Sequence, residues 1–178
     1  MPERALSELY GRLSVREAAL DRLLHCFQDL SQPKRTFQDL IEIAIEAIPA
    51  EASSLFLVTA EDGTMTIVAA TGPVAEKVLG MKLPPGAGVP GVVARDRHTV
   101  ALSDIRKEPF YSKQLHTIDG FETTSILAVP VLFKGDFTGV VELVNRRGEP
   151  EWQRHEIELL ERLARAAGTM VNLIGERR

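Results

Sequence analysis

Residues 124–145 constrain the fold most strongly, because two apolar runs there flank a short polar turn. Residues 126–133 are apolar apart from Pro130, and residues 137–144 are nearly so. Lys134-Gly135-Asp136 between them is typical of a tight turn in which glycine takes a positive φ at low cost. Apolar residues of both parities indicate strands covered on both faces. We predict a hairpin at the centre of a sheet with a layer on each side.

Glu142 interrupts the second run, between Val141 and Leu143. A buried carboxylate without partners costs several kcal/mol or takes up a proton. Glu142 therefore needs a hydrogen-bond donor, a route to solvent or a ligand, and it is the first candidate site residue.

The 178 residues and 44% apolar content suit one core and are too few for two ordinary domains. We predict an N-terminal amphipathic helix within residues 1–35 and one domain over residues 36–178. The net charge of -4, with basic and acidic residues interleaved, makes nucleic acid and membrane surfaces unlikely partners. No membrane-spanning run or signal peptide is evident, so a cytoplasmic location is expected.

The single cysteine, Cys26, excludes an internal disulfide and a site built on paired cysteines. Its helical spacing among apolar residues predicts a buried structural thiol. No cluster with metal-ligand spacing is present, and we expect no cofactor. His116 is a conceivable haem ligand, but a lone histidine in a short surface helix is usually solvated.

The first thirty residues carry a heptad pattern. A seam this narrow on an otherwise charged helix predicts a contact with a partner helix, in a coiled coil or bundle across a dimer. The alternative is that the helix packs only on its own domain. One register contains Leu6, Leu13, Leu20 and Phe27, and the other contains Leu9, Leu23 and Leu30, with Arg16 as the sole interruption.

Local signals predict the remaining elements. Thr36 is a plausible N-cap for a second, core helix after the break at Pro33. Residues 52–59 and 65–71 predict a hairpin. A short helix is predicted within residues 112–118, and a final amphipathic helix after Trp152.

The glycine-rich residues 84–94 open a short helix and allow two interpretations. Free N–H groups at a helix N-terminus attract anions, as in a phosphate cradle. However, the lysine and hydroxyl of a P-loop and the Gly-x-Gly-x-x-Gly spacing are missing. The alternative is that small residues let the helix approach the sheet closely, and both interpretations can hold together.

Four motifs occur in a characteristic order: residues 88–94 at a helix start, 103–111, 120–127 leading into a strand, and the strand 139–146. In this order and at these spacings, residues 37–173 resemble a GAF domain. The pattern is similar to the regulatory GAF domains of cyclic-nucleotide phosphodiesterases and of bacterial signalling proteins. The resemblance implies an α+β fold, with a GAF/PAS-like six-stranded antiparallel sheet. Long terminal helices would cover one face, and loops and short helices would roof a pocket on the other.

The resemblance also implies a ligand site. In cyclic-nucleotide-binding relatives the pocket uses positions that match Val89, Pro90, Tyr111, Thr123 and Glu142. Glu142 would accept from a base N–H, Thr123 would offer a hydroxyl, and Tyr111 would offer a stacking face. Pro90 is a departure, since it has no N–H to donate to a phosphate.

The cyclic-nucleotide signature of the family, Asn-Lys followed by Phe and then Asp-Glu, is also altered here. The chain has Asn145-Arg146, Trp152, Glu156 and Ile157, so the second acid is lost.

The resemblance implies a sensory module that binds a small-molecule effector, dimerises through its terminal helices and regulates a covalently linked or partner output domain. The effector is a cyclic nucleotide or another small molecule. The alternative is a ligand-free dimerisation scaffold or protein-interaction domain. We expect no enzyme activity: GAF-type methionine sulfoxide reductases need pocket cysteines, and none follows Cys26. A covalently attached bilin is excluded for the same reason.

Overall fold

The computed structural model describes residues 2–59, 61–111 and 116–176. Its centre is a six-stranded antiparallel sheet with the order β3-β2-β1-β8-β7-β4, and β5 and β6 form a separate small hairpin. The predicted α+β architecture is confirmed. The strands are β1 Ala50–Val58, β2 Met65–Thr71, β3 Lys82–Leu83, β4 Val100–Leu102, β5 Thr117–Ile118, β6 Phe121–Glu122, β7 Ile126–Phe133 and β8 Asp136–Arg146.

Helices cover both faces of the sheet. Helix α2 packs on β1 and β2, α5 packs on β7 and β8, and α1 lies against α2 and α5. On the opposite face, α3 contacts β2, and α4 contacts β7 and β8. The helices are α1 Pro2–Gln28, α2 Pro33–Ala47, α3 Ala75–Val78, α4 Gly88–Asp96 and α5 Arg154–Gly175.

The β7–β8 hairpin occupies the interior of the sheet, as its two-sided apolar pattern predicts. Alternation divides β7 between two cores: Leu127 and Val129 face the core under the helices, whereas Ile126 and Ala128 face the core on the other side. The turn itself is shorter than predicted. Lys134 and Gly135 take positive φ values of 50° and 92°, and Asp136 already begins β8.

Three local expectations need correction. Helix α2 begins at Pro33, and Thr36 lies inside it, donating its hydroxyl to the carbonyl oxygens of Asp29 and Gln32. Proline is pre-organised for the first helical position, so it sets the helix start in place of a side-chain cap. Strand β3 has only two residues and was not expected. Of the predicted helix 112–118, residues 112–115 lie outside the described part, His116 is helical as predicted, and Thr117–Ile118 forms β5 instead.

Helix α5 approaches β7 more closely than an ordinary helix could approach a strand. A Cβ built on Gly168 would overlap the backbone carbonyl of Leu132, with 2.8 Å to its carbon. Glycine at this position therefore lets the helix backbone lie directly on the strand.

We predict that Gly168→Ala destabilises the fold by about 1–3 kcal/mol, because α5 must move away from β7 to admit the methyl group. Chemical denaturation monitored by circular dichroism measures the change. Gly11→Ala is the matched control: it is also a helical glycine, and nothing lies within 4 Å of its added Cβ. Alanine favours helix there by up to about 1 kcal/mol, so the control should lose no stability. Equal losses in both variants would contradict the close approach.

Candidate functional site

A cavity of about 160 Å³ lies between the sheet and the elements on the face opposite α5. Strands β1, β2 and β8 form its floor. We call α3, α4 and the β5–β6 hairpin the roof. Most of the lining is apolar. It includes Ala52, Phe56, Ile67, Val74, Val78, Met81, Leu83, Val89, Ile118, Phe121, Ile126 and Val144.

Glu142 lies in the floor of this cavity. Across the neighbouring strands it is paired with Ala128 of β7 and Ser54 of β1. Both neighbours are small, so they leave space beside the carboxyl group where larger side chains would fill it. Glu142 as a whole is half-buried, but its Oε2 atom is buried and has no hydrogen-bond partner among the described residues.

Burial raises the pKa of Glu142 from 4.5 to about 7. Removal of water disfavours the charged carboxylate, and among the described residues no nearby cation or donor offsets that cost. The group therefore exchanges its proton near neutral pH. Such a perturbed carboxyl group in a cavity is a candidate functional residue on physical grounds.

The structure brings together four of the five residues that the family resemblance points to. Val89 and Pro90 of α4 are buried in the roof, and Thr123 lines the cavity with Glu142. Tyr111 does not line the cavity. Its ring stacks on His116, with the ring centroids 5.3 Å apart.

His116 is the residue whose prediction was wrong. It is only 6% exposed, not solvated, and it lines the cavity. Its backbone oxygen accepts from the Thr123 amide at 2.7 Å, which ties two parts of the wall together. The sequence offers no local signal for this position, because the placement depends on pairing with a distant segment. Ser54 was also missed, although a hydroxyl in a largely apolar strand is a usable signal.

Asn145 fastens the wall that carries Thr123 to the end of β8. Its Oδ1 accepts from the amide and hydroxyl of Thr124, at 2.8 and 3.1 Å. Its Nδ2 donates to the Glu122 carbonyl at 2.8 Å and to the Glu51 carboxylate at 2.9 Å. Asn145 has a φ of 57°, a left-handed conformation that asparagine tolerates better than most residues.

The next residue, Arg146, forms a buried ion pair with Glu156 in the first turn of α5, with N–O distances of 2.8 and 2.9 Å. Glu156 also accepts from the Gln153 amide in a capping box. Trp152 donates its indole N–H to the Leu102 carbonyl at 3.2 Å. The residues at the positions of the altered cyclic-nucleotide signature thus connect β4, β8 and α5. They are not part of the described cavity lining.

The glycine-rich segment before α4 serves close packing. A Cβ on Gly91 would overlap the backbone of Gly86. This close contact joins the helix to its own preceding loop, so the interpretation as close helix-to-sheet approach stays a prediction. The anion interpretation stays a prediction.

A family model described as GAF domain matches residues 32–171. The chain belongs to the GAF domain family. The match begins just before α2 and ends within α5, so it contains the sheet, the roof and the cavity. The division at residue 35 between an N-terminal helix and the domain stays a prediction.

Two curated relatives are cyclic-nucleotide phosphodiesterases. The GAF domain is 26% identical over 145 residues to the dual 3',5'-cyclic-AMP and -GMP phosphodiesterase 11A of Takifugu rubripes, covering 76% of this chain and 16% of that protein. It is 23% identical over 148 residues to the cone cGMP-specific phosphodiesterase subunit alpha' of Mus musculus, covering 77% of this chain and 17% of that protein. The chain thus spans about one sixth of the length of these relatives.

Solved structures agree on the fold. The GAF domain of a phosphoenolpyruvate-protein phosphotransferase from Coxiella burnetii superposes with a TM-score of 0.75 at 20% identity, covering 91% of this chain and 97% of that one. A free methionine-R-sulfoxide reductase from Neisseria meningitidis superposes at 0.68 and 16% identity, covering 94% and 89%. The fold therefore occurs in regulatory domains and in an enzyme.

Two further observations bear on the expected partners. Among the described residues, no group of three or more His, Cys, Asp and Glu side chains could hold a metal ion. None of the described helices combines the length and the apolar character that a membrane span requires.

We predict that Glu142 makes the protein less stable as the pH rises from 4.5 towards 7. Between these values the unfolded chain releases a proton that the folded chain keeps, because the folded pKa is about 7 and the ordinary value is 4.5. The loss should total about 3 kcal/mol. Glu142→Gln cannot ionise, so the difference in unfolding free energy between wild type and variant should change by that amount between pH 4 and pH 8.

Urea denaturation at several pH values measures this difference. Glu76→Gln changes an exposed glutamate of α3 and serves as the matched control. A difference between wild type and Glu142→Gln that stays constant across the range would show that the carboxyl group is solvated in the folded protein.

Proposed function

We propose that this GAF domain is a sensory module that binds a small-molecule effector in the cavity above Glu142. The supporting observation is the buried Oε2 of Glu142, a residue of the cavity lining, which has no hydrogen-bond partner in the described part of the chain. An unpaired buried carboxyl group costs free energy that a ligand with a suitable donor would recover. In this proposal Val89, Pro90 and Thr123 also contact the ligand. Tyr111 contributes indirectly, by stacking on His116.

The geometry also supports a route from the cavity to the rest of the molecule. Strand β8 carries Glu142 in the cavity floor and Arg146 four residues further along, where the ion pair with Glu156 holds the start of α5. Asn145 holds the wall segment around Thr123 to the same strand. In this proposal the wall has two arrangements, and a ligand that binds one of them more tightly shifts the equilibrium towards it. The position of α5 would change together with the wall.

We further propose that the domain forms a homodimer through α1 and α5. The N-terminal part of the heptad seam has little cover within one chain: Leu6, Leu13 and Leu20 are 52%, 50% and 55% exposed, whereas the later seam residues pack on the core under the helices. Beside it, a groove of about 410 Å³ runs between α1 and α5 and is lined largely by leucines. A second copy of the same amphipathic helix would cover the seam and the groove together.

The relatives suggest a setting for such a module. Because the chain matches only a segment of each phosphodiesterase, we propose a regulatory role beside a linked or partner output domain in the cytoplasm. A cyclic nucleotide is one candidate effector. No enzyme activity is proposed: the only cysteine of the chain, Cys26, is buried in the core under the helices, so the cavity has no thiol.

The second candidate is a ligand-free dimerisation scaffold or protein-interaction domain. The exposed leucine seam favours it, since dimerisation needs no ligand. In that case, the cavity would be a packing defect of the roof.

A binding experiment separates the two candidates. The purified protein is first denatured and its supernatant analysed by mass spectrometry for a co-purified small molecule. The refolded protein is then titrated with cyclic AMP, cyclic GMP and a library of small metabolites while its melting temperature is followed. We expect an effector to raise the melting temperature by several degrees, because binding only the folded state stabilises it. Glu142→Ala should abolish this shift while still folding. The absence of any ligand would favour the scaffold.

We predict that replacing Leu13 and Leu20 together by glutamate converts a dimer into a monomer, because like charges would oppose each other in an apolar seam. Sedimentation velocity measures the change. Leu79→Glu is the matched control: this leucine is 54% exposed, but it follows α3 on the roof side. A wild-type chain that sediments as a monomer, or a control that dissociates equally, would contradict the proposed interface.

A further inference from the structure

The first constraint on the effector is size. The cavity volume of about 160 Å³ is close to that of an engineered apolar cavity of about 150 Å³ that binds benzene. It is well below the roughly 300–1,000 Å³ of pockets that hold drug-sized ligands. With the roof in the position seen here, the cavity matches a molecule built on a single ring or a short branched chain.

The second constraint is charge. The titratable side chains in the described lining are those of Glu142, His116 and Lys82. Lys82 lies on the edge strand β3, next to Leu83, which pairs with Met65 and packs in the cavity-side core. Because strand residues alternate, the Lys82 side chain points to the other face, and Lys82 is exposed. Its ammonium group therefore does not neutralise Glu142, which agrees with burial being the cause that raises the pKa of the carboxyl group among the described residues.

The third constraint is the roof. A phosphate or carboxylate needs donors, yet Pro90 contributes none from its backbone. Gly88 and Val89 before it keep backbone N–H groups at the start of α4, so the case against an anion rests on Glu142 and not on the roof alone. Across the cavity an anion would meet the Glu142 carboxyl group, which brings like charges together in a largely apolar site when that group is ionised. The described lining therefore disfavours anions and accommodates a neutral or cationic molecule.

On the basis of the proposed function, we infer that the effector is a small organic cation with a compact apolar body, whose ammonium or amidinium N–H groups pair with the Glu142 carboxylate. The apolar body would fill the space beside Ala128 and Ser54. The cation would supply the donor that Oε2 lacks. Where Glu142 is protonated before binding, one proton leaves the site to solvent as the cation enters.

Three molecules of nearly equal shape test the charge preference: benzamidine, a cation; benzamide, neutral; and benzoate, an anion. Isothermal titration calorimetry measures each affinity. We expect benzamidine to bind at least about tenfold more tightly than benzamide, and benzoate to bind least. A charge-assisted hydrogen bond contributes about twice as much as a neutral one, which supports this order.

The pH dependence tests the role of Glu142 itself. With a carboxyl pKa of about 7, the ionised fraction rises from about one tenth at pH 6 to about nine tenths at pH 8. Benzamidine should therefore bind about tenfold more tightly at pH 8 than at pH 6. Glu142→Gln should lose this pH dependence and most of the preference for benzamidine over benzamide, while keeping its affinity for benzamide. A pH dependence that survives in the variant would overturn the assignment to Glu142.

The outcomes separate this inference from the proposed function. If cyclic nucleotides or benzoate bind as tightly as benzamidine, and Glu142→Gln leaves the order unchanged, the cation inference is wrong although the module still binds a ligand. If none of the three probes and no metabolite binds, both proposals are wrong. A cation preference in wild type that Glu142→Gln removes supports both.

Discussion

The structure depends on a sheet whose central strands are covered on both faces. Strand β8 lies between β1 and β7, with the long helices on one side and the roof on the other. Most of its length is therefore shielded from water, and a buried polar group on it must find a partner inside the protein or remain without one. Asn145 and Arg146, at the end of the strand, find several partners each. Oε2 of Glu142, in the middle, finds none among the described residues.

Buried polar side chains therefore have two different roles in this protein. The ion pair between Arg146 and Glu156 is 9% and 3% exposed, and its carboxylate also caps α5, so breaking it would leave an uncompensated charge at a cost of about 3–5 kcal/mol. That interaction fixes α5 to the sheet. Glu142 contributes no comparable stability and instead costs free energy at neutral pH. A buried side chain that lowers the stability of the fold and does not contribute to packing is typical of a functional residue.

Much of the architecture could be predicted from the sequence because it follows from local periodicity. The two-sided apolar pattern placed β7 and β8 correctly, and the interruption at Glu142 located the cavity floor. Positions set by distant contacts could not be found in this way. The burial of His116 depends on a hydrogen bond to Thr123 and on stacking with Tyr111, and neither is visible in a local window. The start of α2 was misjudged because Pro33 takes the first helical position, four residues before the Phe37 that an N-cap at Thr36 implies.

The floor and the roof of the cavity differ in how firmly they are held. The floor belongs to the hydrogen-bonded sheet, with Glu142 paired to strands on both sides. Part of the roof is held by an ion pair between Lys77 of α3 and Asp119 of the β5–β6 turn, and both side chains are more than half exposed. Exposed pairs of this kind contribute about 0–1 kcal/mol, so this ion pair adds little to the cost of separating these two parts of the roof. Charge selectivity, which the floor determines, should therefore be retained when the roof moves, whereas the size limit should relax. A larger ligand could enter this cavity only by displacing the roof, and it would still have to satisfy Glu142.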